Sequence, residues 1–188
     1  MSQHEYPASG ESVGLGEERS FAVQMFTARY DLIEDRICLN AVDATGAKQV
    51  IYLTRRLMDQ LIPVFIKHLE EKTPKGVPTD VVQSMTQERV RQVRKAETPA
   101  RPVNTDLETP RWLCTTMQMR KQPAGLLMML TGDAACNAQI PLTDQQLRAV
   151  LDIFRNAYAK AGWDLYLFPE WLAPAKAEVG LGVQVRLN

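Results

Sequence analysis

Hydrophobic and polar positions change their spacing from alternating to helical along the first part of the chain. From Phe21 onward they alternate over short runs, which predicts β-strands separated by turns. Gly46 falls in one of these turns, where a positive φ favours glycine. After Thr54 the apolar residues recur every three or four positions, which predicts an amphipathic helix with Thr54 as its N-cap. The strands are expected at about 21–30, 36–41 and 48–53, and the apolar helical positions include Leu57, Met58, Leu61, Ile62, Phe65 and Leu69.

The same order of patterns returns in the second half of the chain. Residues 139–143 (QIPLT) follow the pattern of residues 50–54 (VIYLT), and a second helical pattern begins after them. Thr143 is a suitable N-cap, Gln146 is placed to complete a capping box, and Gly162 is placed to end the helix. These features favour an internal duplication, although any antiparallel meander followed by a helix gives a similar pattern. The strands are expected at about 112–120, 126–130 and 135–142, and the buried helical stripe at Leu147, Val150, Leu151, Phe154 and Tyr158.

The segment between the two halves is rich in proline and polar residues. It contains one helical stretch, at about 80–97, whose apolar positions are sparse, so we expect that helix to pack weakly or lie on the surface. The predicted fold class is α+β, with two tandem β-β-β-α units. Each unit has antiparallel strands with a helix packed on one face, and the long Pro-rich linker with its helix joins the units. The two units either join into one pseudo-symmetric body or lie side by side, so one sheet and two sheets both stay open. The predicted boundaries are a disordered N-terminal tail at 1–20, a first unit at 21–73, the linker at 74–110, and a second unit at 111–188 that ends in an aromatic segment and a strand.

Composition narrows the class of protein. The 188 residues include 22 basic and 22 acidic side chains, so whole-chain charge gives no reason to expect an anionic partner. Neither a signal peptide nor a run of about 20 apolar residues is present, which predicts no membrane span. The odd number of cysteines, three, is typical of reduced thiols rather than a disulfide framework. We therefore expect a cytoplasmic protein.

The residues that carry chemistry are few and scattered. His4 and His68 lie far apart in sequence, and Cys38, Cys114 and Cys136 lack ligand spacing, so we predict neither a metal site nor a catalytic nucleophile. No glycine-rich segment has the strand-loop-helix context of a phosphate cradle, and no cofactor is predicted. Three neighbouring carboxylates could form an acid/base pair in a cleft, but a solvated hairpin turn is the more ordinary interpretation. These carboxylates are Asp31, Glu34 and Asp35.

An aromatic cluster near the C-terminus is the first candidate for an interaction surface. Trp and Tyr are enriched among the residues that dominate binding energy at interfaces. The alternative is that these rings seal the end of the core after the second helix. The cluster consists of Trp163, Tyr166, Phe168 and Trp171.

A basic run on the linker helix is the second candidate. Such a run could contact phosphates or an acidic partner. At 100° per residue, however, Arg89 points away from Arg91 and Arg94, and no aromatic side chains interleave for base stacking. A solvated helix face, a protein partner and a nucleic-acid contact therefore all stay open. The candidate residues are Arg89, Arg91, Arg94 and Lys95.

Together these patterns predict a non-catalytic binding or assembly protein of the adaptor type, acting through contacts with an unknown protein partner or by self-association as a homodimer. One alternative is a small-ligand binder or enzyme that uses the seam between the two units, where pockets often form. Its candidate polar groups are Asp35, Arg36, Tyr52 and Arg120. The other alternative is nucleic-acid contact through the basic linker helix.

Overall fold

Two antiparallel meanders of three strands close into one six-stranded β-barrel in the computed structural model. The structure describes residues 20–97, 101–173 and 184–186, the last range by its backbone alone. The strands are β1 (Phe21–Asp31), β2 (Arg36–Asp43), β3 (Lys48–Leu53), β4 (Arg111–Gln122), β5 (Gly125–Gly132), β6 (Asn137–Thr143) and the short β7 (Gln184–Arg186). The helices are α1 (Arg55–Glu70), α2 (Thr79–Ala96) and α3 (Asp144–Ala161), and a 3₁₀ turn spans Glu170–Leu172.

Two parallel strand pairs join the meanders into one closed barrel, so the predicted fold of two tandem β-β-β-α units is wrong. β3 pairs with β4 through Val50↔Arg111 and the next two positions. β6 pairs with β1 only at Phe21↔Ala138 and the following position. The physical reason for the error is that alternation and turn residues specify neighbouring antiparallel pairs, whereas a parallel pair needs a long crossover and leaves no local signal. Here the long α1–α2 segment is such a crossover, connecting β3 to β4.

The barrel strands place their apolar side chains in one core shared with α1 and α3. Phe26, Leu39 and Ile51 on the first meander are fully buried, as are Phe65 on α1 and Phe154 on α3. Both helices begin at threonine caps. The Thr54 hydroxyl accepts a hydrogen bond from the Leu57 amide at 3.3 Å, and Thr143 forms a capping box with Gln146. The two predicted caps are confirmed, as is the left-handed Gly162 (φ 67°) that ends α3.

Helix α2 is not the weakly packed linker helix that the sequence predicts. It packs against α1, α3 and the 3₁₀ turn, and two of its three buried residues are glutamines, the third being Val90. Gln83 and Gln87 are only 2% and 0% exposed, whereas the apolar Met85 is 70% exposed. The prediction for α2 is wrong because it takes apolar side chains to mark the buried face of a helix. Hydrogen bonds fix the orientation of α2 instead, as described below.

The segment after α2 is also bound to the barrel. The Val103 amide donates to the Thr27 hydroxyl at 3.0 Å, and the Asn40 side chain donates to the Val103 carbonyl at 3.1 Å. Val103 is buried, and so are Cys38 and Val50, outside the main core cluster. This segment therefore crosses β1 and β2 rather than serving as a free spacer.

Several sequence predictions fall on residues outside the described ranges. They include the disordered tail apart from Ser20, His4, and the glycine-rich segment at 180–182. Of the C-terminal strand, β7 is described, and it pairs antiparallel with the middle of β1. Among the described residues, no helix combines the length and the apolar character needed to cross a bilayer.

Candidate functional site

Three of the four predicted aromatic contact residues lie in the core rather than on a surface. Trp163, Phe168 and Trp171 are buried, and only Tyr166 is exposed, at 74%. The rings of Trp163 and Phe168 meet the buried Tyr158 ring edge to face, with centroids 5.0 and 5.2 Å away. The cluster therefore seals the end of the core beside α3, which was the alternative interpretation.

The indole of Trp171 also contacts a buried polar network between α2 and α3. Its Nε1 donates to Glu70 at 2.9 Å, and the Arg148 guanidinium lies 5.6 Å from its ring centroid. Arg148 is buried and donates to the side-chain oxygens of Gln83 and Gln87. Burial lowers the pKa of Arg148, and the negative charge of Asp144 offsets that effect only in part.

Two of the four predicted basic contact residues belong to the same network. Arg91 binds Asp152 with two nitrogens, Nε at 3.1 Å and Nη2 at 2.6 Å, and Arg94 approaches the same carboxylate at 3.9 Å. Arg89 lies on the exposed opposite side of α2, and Lys95 is exposed near its end. The basic run is thus divided between an internal ion pair and the surface. We call Gln83, Gln87, Arg91, Arg94, Arg148 and Asp152 the α2–α3 polar network.

His68, one of the two histidines, has a structural partner. Its Nε2 lies 2.9 Å from Oδ1 of Asp144, the first residue of α3, and Lys72 Nζ lies 2.5 Å from the other oxygen. Partial burial raises the pKa of Asp144, but hydrogen bonds from Lys72 and His68 outweigh it, so the pKa stays below its usual range. This carboxylate joins the end of α1 to the start of α3.

We expect Asp144→Asn to lower the free energy of unfolding near neutral pH by less than about 1 kcal/mol, because the carboxylate is partly solvent-screened. A depressed folded-state pKa stabilises the protein above the unfolded pKa of about 3.9, and that contribution disappears as pH falls through the folded value. Urea denaturation of parent and variant should therefore give different free energies of unfolding at about pH 6, and the two should converge as the pH falls through the folded-state pKa of Asp144. A difference that stays constant with pH would contradict the ionic role of Asp144.

The four polar groups proposed for a ligand site at the seam lie in different parts of the barrel. Asp35 and Arg36 are at the turn between β1 and β2. Tyr52 is half-buried within β3, and Arg120 is exposed near the far end of β4. Within the described part of the chain, no group of three or more His, Cys, Asp or Glu is arranged to hold a metal ion.

The cysteines are unpaired thiols in different environments. Cys38 and Cys114 are buried in strands, and burial raises the pKa of both thiols. A raised pKa disfavours the nucleophilic thiolate. Cys136 is partly exposed beside β6. The two buried thiols therefore act as small core side chains.

The turn between β1 and β2 exposes two adjacent apolar side chains to solvent. Leu32 and Ile33 are 81% and 94% exposed. Large apolar side chains at such exposure are ordinary when single, but two adjacent ones at the end of a hairpin form a small projecting anchor. We call residues 31–36 the hairpin tip.

Hydrogen bonds fix the hairpin tip. Asp31 Oδ1 accepts from the backbone amides of Ile33 and Glu34, at 3.1 and 3.3 Å. The Tyr30 hydroxyl donates to Asp35 at 2.6 Å, and Asp35 adopts a left-handed φ of 49°. Arg29 and Arg36 add ion pairs to Asp31 and Glu34. The predicted carboxylate group is therefore the scaffold of the turn, in agreement with its more ordinary interpretation.

Leu32 and Ile33 were not predicted as an exposed apolar surface, because the surrounding carboxylates mark this segment as a polar turn. The available signal was the apolar pair itself, since turn positions between strands usually carry polar residues or glycine.

The outer face of α2 is a weaker candidate. An open depression of about 430 Å³ is lined by Ser84, Met85, Glu88, Arg89 and Gln92. All five residues come from one convex helix, so the depression lacks the converging walls of a ligand pocket.

Comparison with known proteins adds no family, relative or fold neighbour to these observations. No protein-family model, curated protein or solved structure matches this chain.

Proposed function

We propose that this chain is an adaptor-type binding or assembly protein that docks onto a protein partner through the hairpin tip. The observation that supports it best is the nearly complete exposure of Leu32 and Ile33 on a hydrogen-bonded turn. An anchor that is already ordered loses little conformational entropy on binding, so most of its burial contributes to affinity.

The chemistry of the tip indicates what its partner offers. Leu32 and Ile33 require an apolar pocket, where full burial of each side chain is worth about 1.5–3 kcal/mol. The adjacent carboxylates of Glu34 and Asp35 are exposed and favour a polar or basic rim around that pocket. The same carboxylates disfavour an anionic membrane surface.

A photo-reactive amino acid at position 33 tests the proposal in the native cell. We expect a discrete adduct between this chain and one protein, or twice the chain mass if the partner is a second copy. Leu107 provides a matched control, because it is 90% exposed on another turn, fixed by the Thr109–Asp106 hydrogen bond. The same photo-reactive group at position 107 should yield no such adduct.

The affinity of the purified partner is then measured for two serine variants, one double and one single. Leu32→Ser with Ile33→Ser should weaken binding about thirtyfold or more, because hot-spot residues contribute about 2 kcal/mol or more. Leu107→Ser should bind as the parent does. Both variants should unfold within about 0.5 kcal/mol of the parent, since the substituted side chains are exposed. Equal partner affinity for the tip variant, or tip-dependent binding to anionic lipid vesicles instead of protein, would overturn the proposal.

A further inference from the structure

Strands β1 and β4 occupy equivalent positions in the barrel. Each is the first strand of its meander, and its first residues pair in parallel with the last strand of the other meander. For β1 these parallel pairs end at Ala22↔Gln139, and for β4 they end at Tyr52↔Leu113. Beyond these points each strand continues as one arm of a long hairpin, and its edge opposite the hairpin partner is no longer paired with the other meander.

On β1 this edge is filled by another part of the chain. β7 pairs antiparallel with it through Met25↔Arg186, Phe26↔Val185 and Thr27↔Gln184. β7 also contacts α3, the helix that follows the neighbouring β6. The fold therefore accepts an added strand between the edge of an opening strand and the adjacent helix.

On β4 the equivalent edge has no such strand. Within the described residues, β5 is the only strand paired with positions 114–122. Most of the side chains at 115–122 are exposed, and only Met117 and Met119 are half-buried. α1 lies beside β4, as α3 lies beside β1, and Lys121 forms a 2.8 Å ion pair with Glu71 at the end of α1. Unpaired strand edges are templates for pairing with another chain.

We propose that this edge of β4, at positions 114–122, binds an extended, acidic segment of a protein partner by β-augmentation. Main-chain hydrogen bonds to the edge would supply affinity, and alternate side chains supply specificity. Positions 114–122 contain the cations Arg120 and Lys121 and no carboxylate. Opposite charges on cross-strand neighbours stabilise pairing, and like charges disfavour it. The flexible side chains of Met117 and Met119 can adapt to different partner side chains.

The surface ion pair at the end of the edge does not block this binding. Both side chains of the Lys121–Glu71 pair are well exposed. Pairs of this kind contribute little to stability and exchange partners readily. An incoming carboxylate can therefore replace Glu71. This site is separate from the hairpin tip, so each proposal can fail without the other.

The direct test uses a synthetic peptide of about eight residues that alternates Glu with Val, long enough to pair along the edge. Residue-resolved amide exchange should show new protection within positions 115–122 when the peptide is added at about 1 mM. A peptide that alternates Lys with Val should bind about tenfold more weakly. A Glu/Val peptide with every backbone amide N-methylated should lose the protection, because neither edge of it can donate a backbone hydrogen bond.

Charge variants separate this site from general attraction. Arg120→Glu with Lys121→Glu should reverse the preference, so that the Lys/Val peptide binds about tenfold more tightly than the Glu/Val peptide. Arg56→Glu with Arg89→Glu is the matched control on exposed helix positions and should keep the parent preference. Four results would overturn the proposal: absence of binding, protection at β1 in place of β4, unchanged preference in the charge variant, or peptide-free dimerisation that protects the same amides.

Discussion

Phe154→Ala is expected to lower the free energy of unfolding by about 3–5 kcal/mol. The Phe154 side chain is fully buried on the inner face of α3, within the core shared by both meanders. Its removal loses apolar burial and leaves a cavity that a closed barrel can relax only in part. For a chain of this size, the melting temperature should fall by roughly 6–20 °C.

Urea and thermal denaturation measure this change, and two comparisons make it specific. Phe65→Ala on α1 should have a similar effect, because that ring is also fully buried. Tyr166→Ala removes an exposed aromatic ring from the same C-terminal region and should stay within about 0.5 kcal/mol of the parent. If Phe154→Ala melts with the parent, the shared core is assigned wrongly.

The buried residues of the two amphipathic helices were predictable because their stabilisation is local and periodic. Phe65 and Phe154 stand at helical spacing, and each helix follows a threonine whose hydroxyl caps it. Capping and amphipathic spacing are properties of a few neighbouring residues, so one sequence reveals them. The positive φ at Gly46 (88°) is predictable for the same reason.

Closure of the barrel was not predictable in this way. The parallel pairs begin at Val50↔Arg111 and Phe21↔Ala138, which join residues far apart in sequence. Nothing in the alternation of either strand distinguishes a partner in its own meander from a partner in the other. The burial of the aromatic cluster was not predictable for a related reason. A run of bulky residues after a helix does not indicate whether side chains such as Trp163 and Trp171 are buried or exposed.

The hairpin tip and α2 were missed because their pattern opposes the usual rule. Leu32 and Ile33 are apolar and exposed, whereas Gln83 and Gln87 are polar and buried. Periodicity assigns such residues to the wrong side whenever hydrogen bonds determine the orientation. Exceptions of this kind concentrate at functional or specifically hydrogen-bonded places. In this chain those places are the hairpin tip and the buried face of α2.

Asp152→Asn is expected to destabilise α2 more than any other element. The carboxylate accepts two hydrogen bonds from Arg91 and one from the Gln87 amide at 3.0 Å. The variant replaces one oxygen with an NH₂ group that faces these donors, and it removes the negative charge near Arg94. Loss of one partner from a largely buried ion pair costs about 3–5 kcal/mol. We expect the lower limit, because Arg91 keeps the carbonyl oxygens of Leu172 and Ala173.

The cost should appear as local opening, because Val90 is the single apolar side chain that α2 buries, beside the polar Gln83 and Gln87. A loss of about 3 kcal/mol corresponds to amide exchange that is roughly a hundredfold faster. That acceleration should cover α2, while the amides of β2 and β5 exchange as in the parent. Asp164→Asn, at an exposed position after α3, is the matched control and should leave α2 unchanged. Equal acceleration throughout the barrel would instead mean that α2 unfolds only together with the core, and that its polar face is an integral part of the cooperative structure.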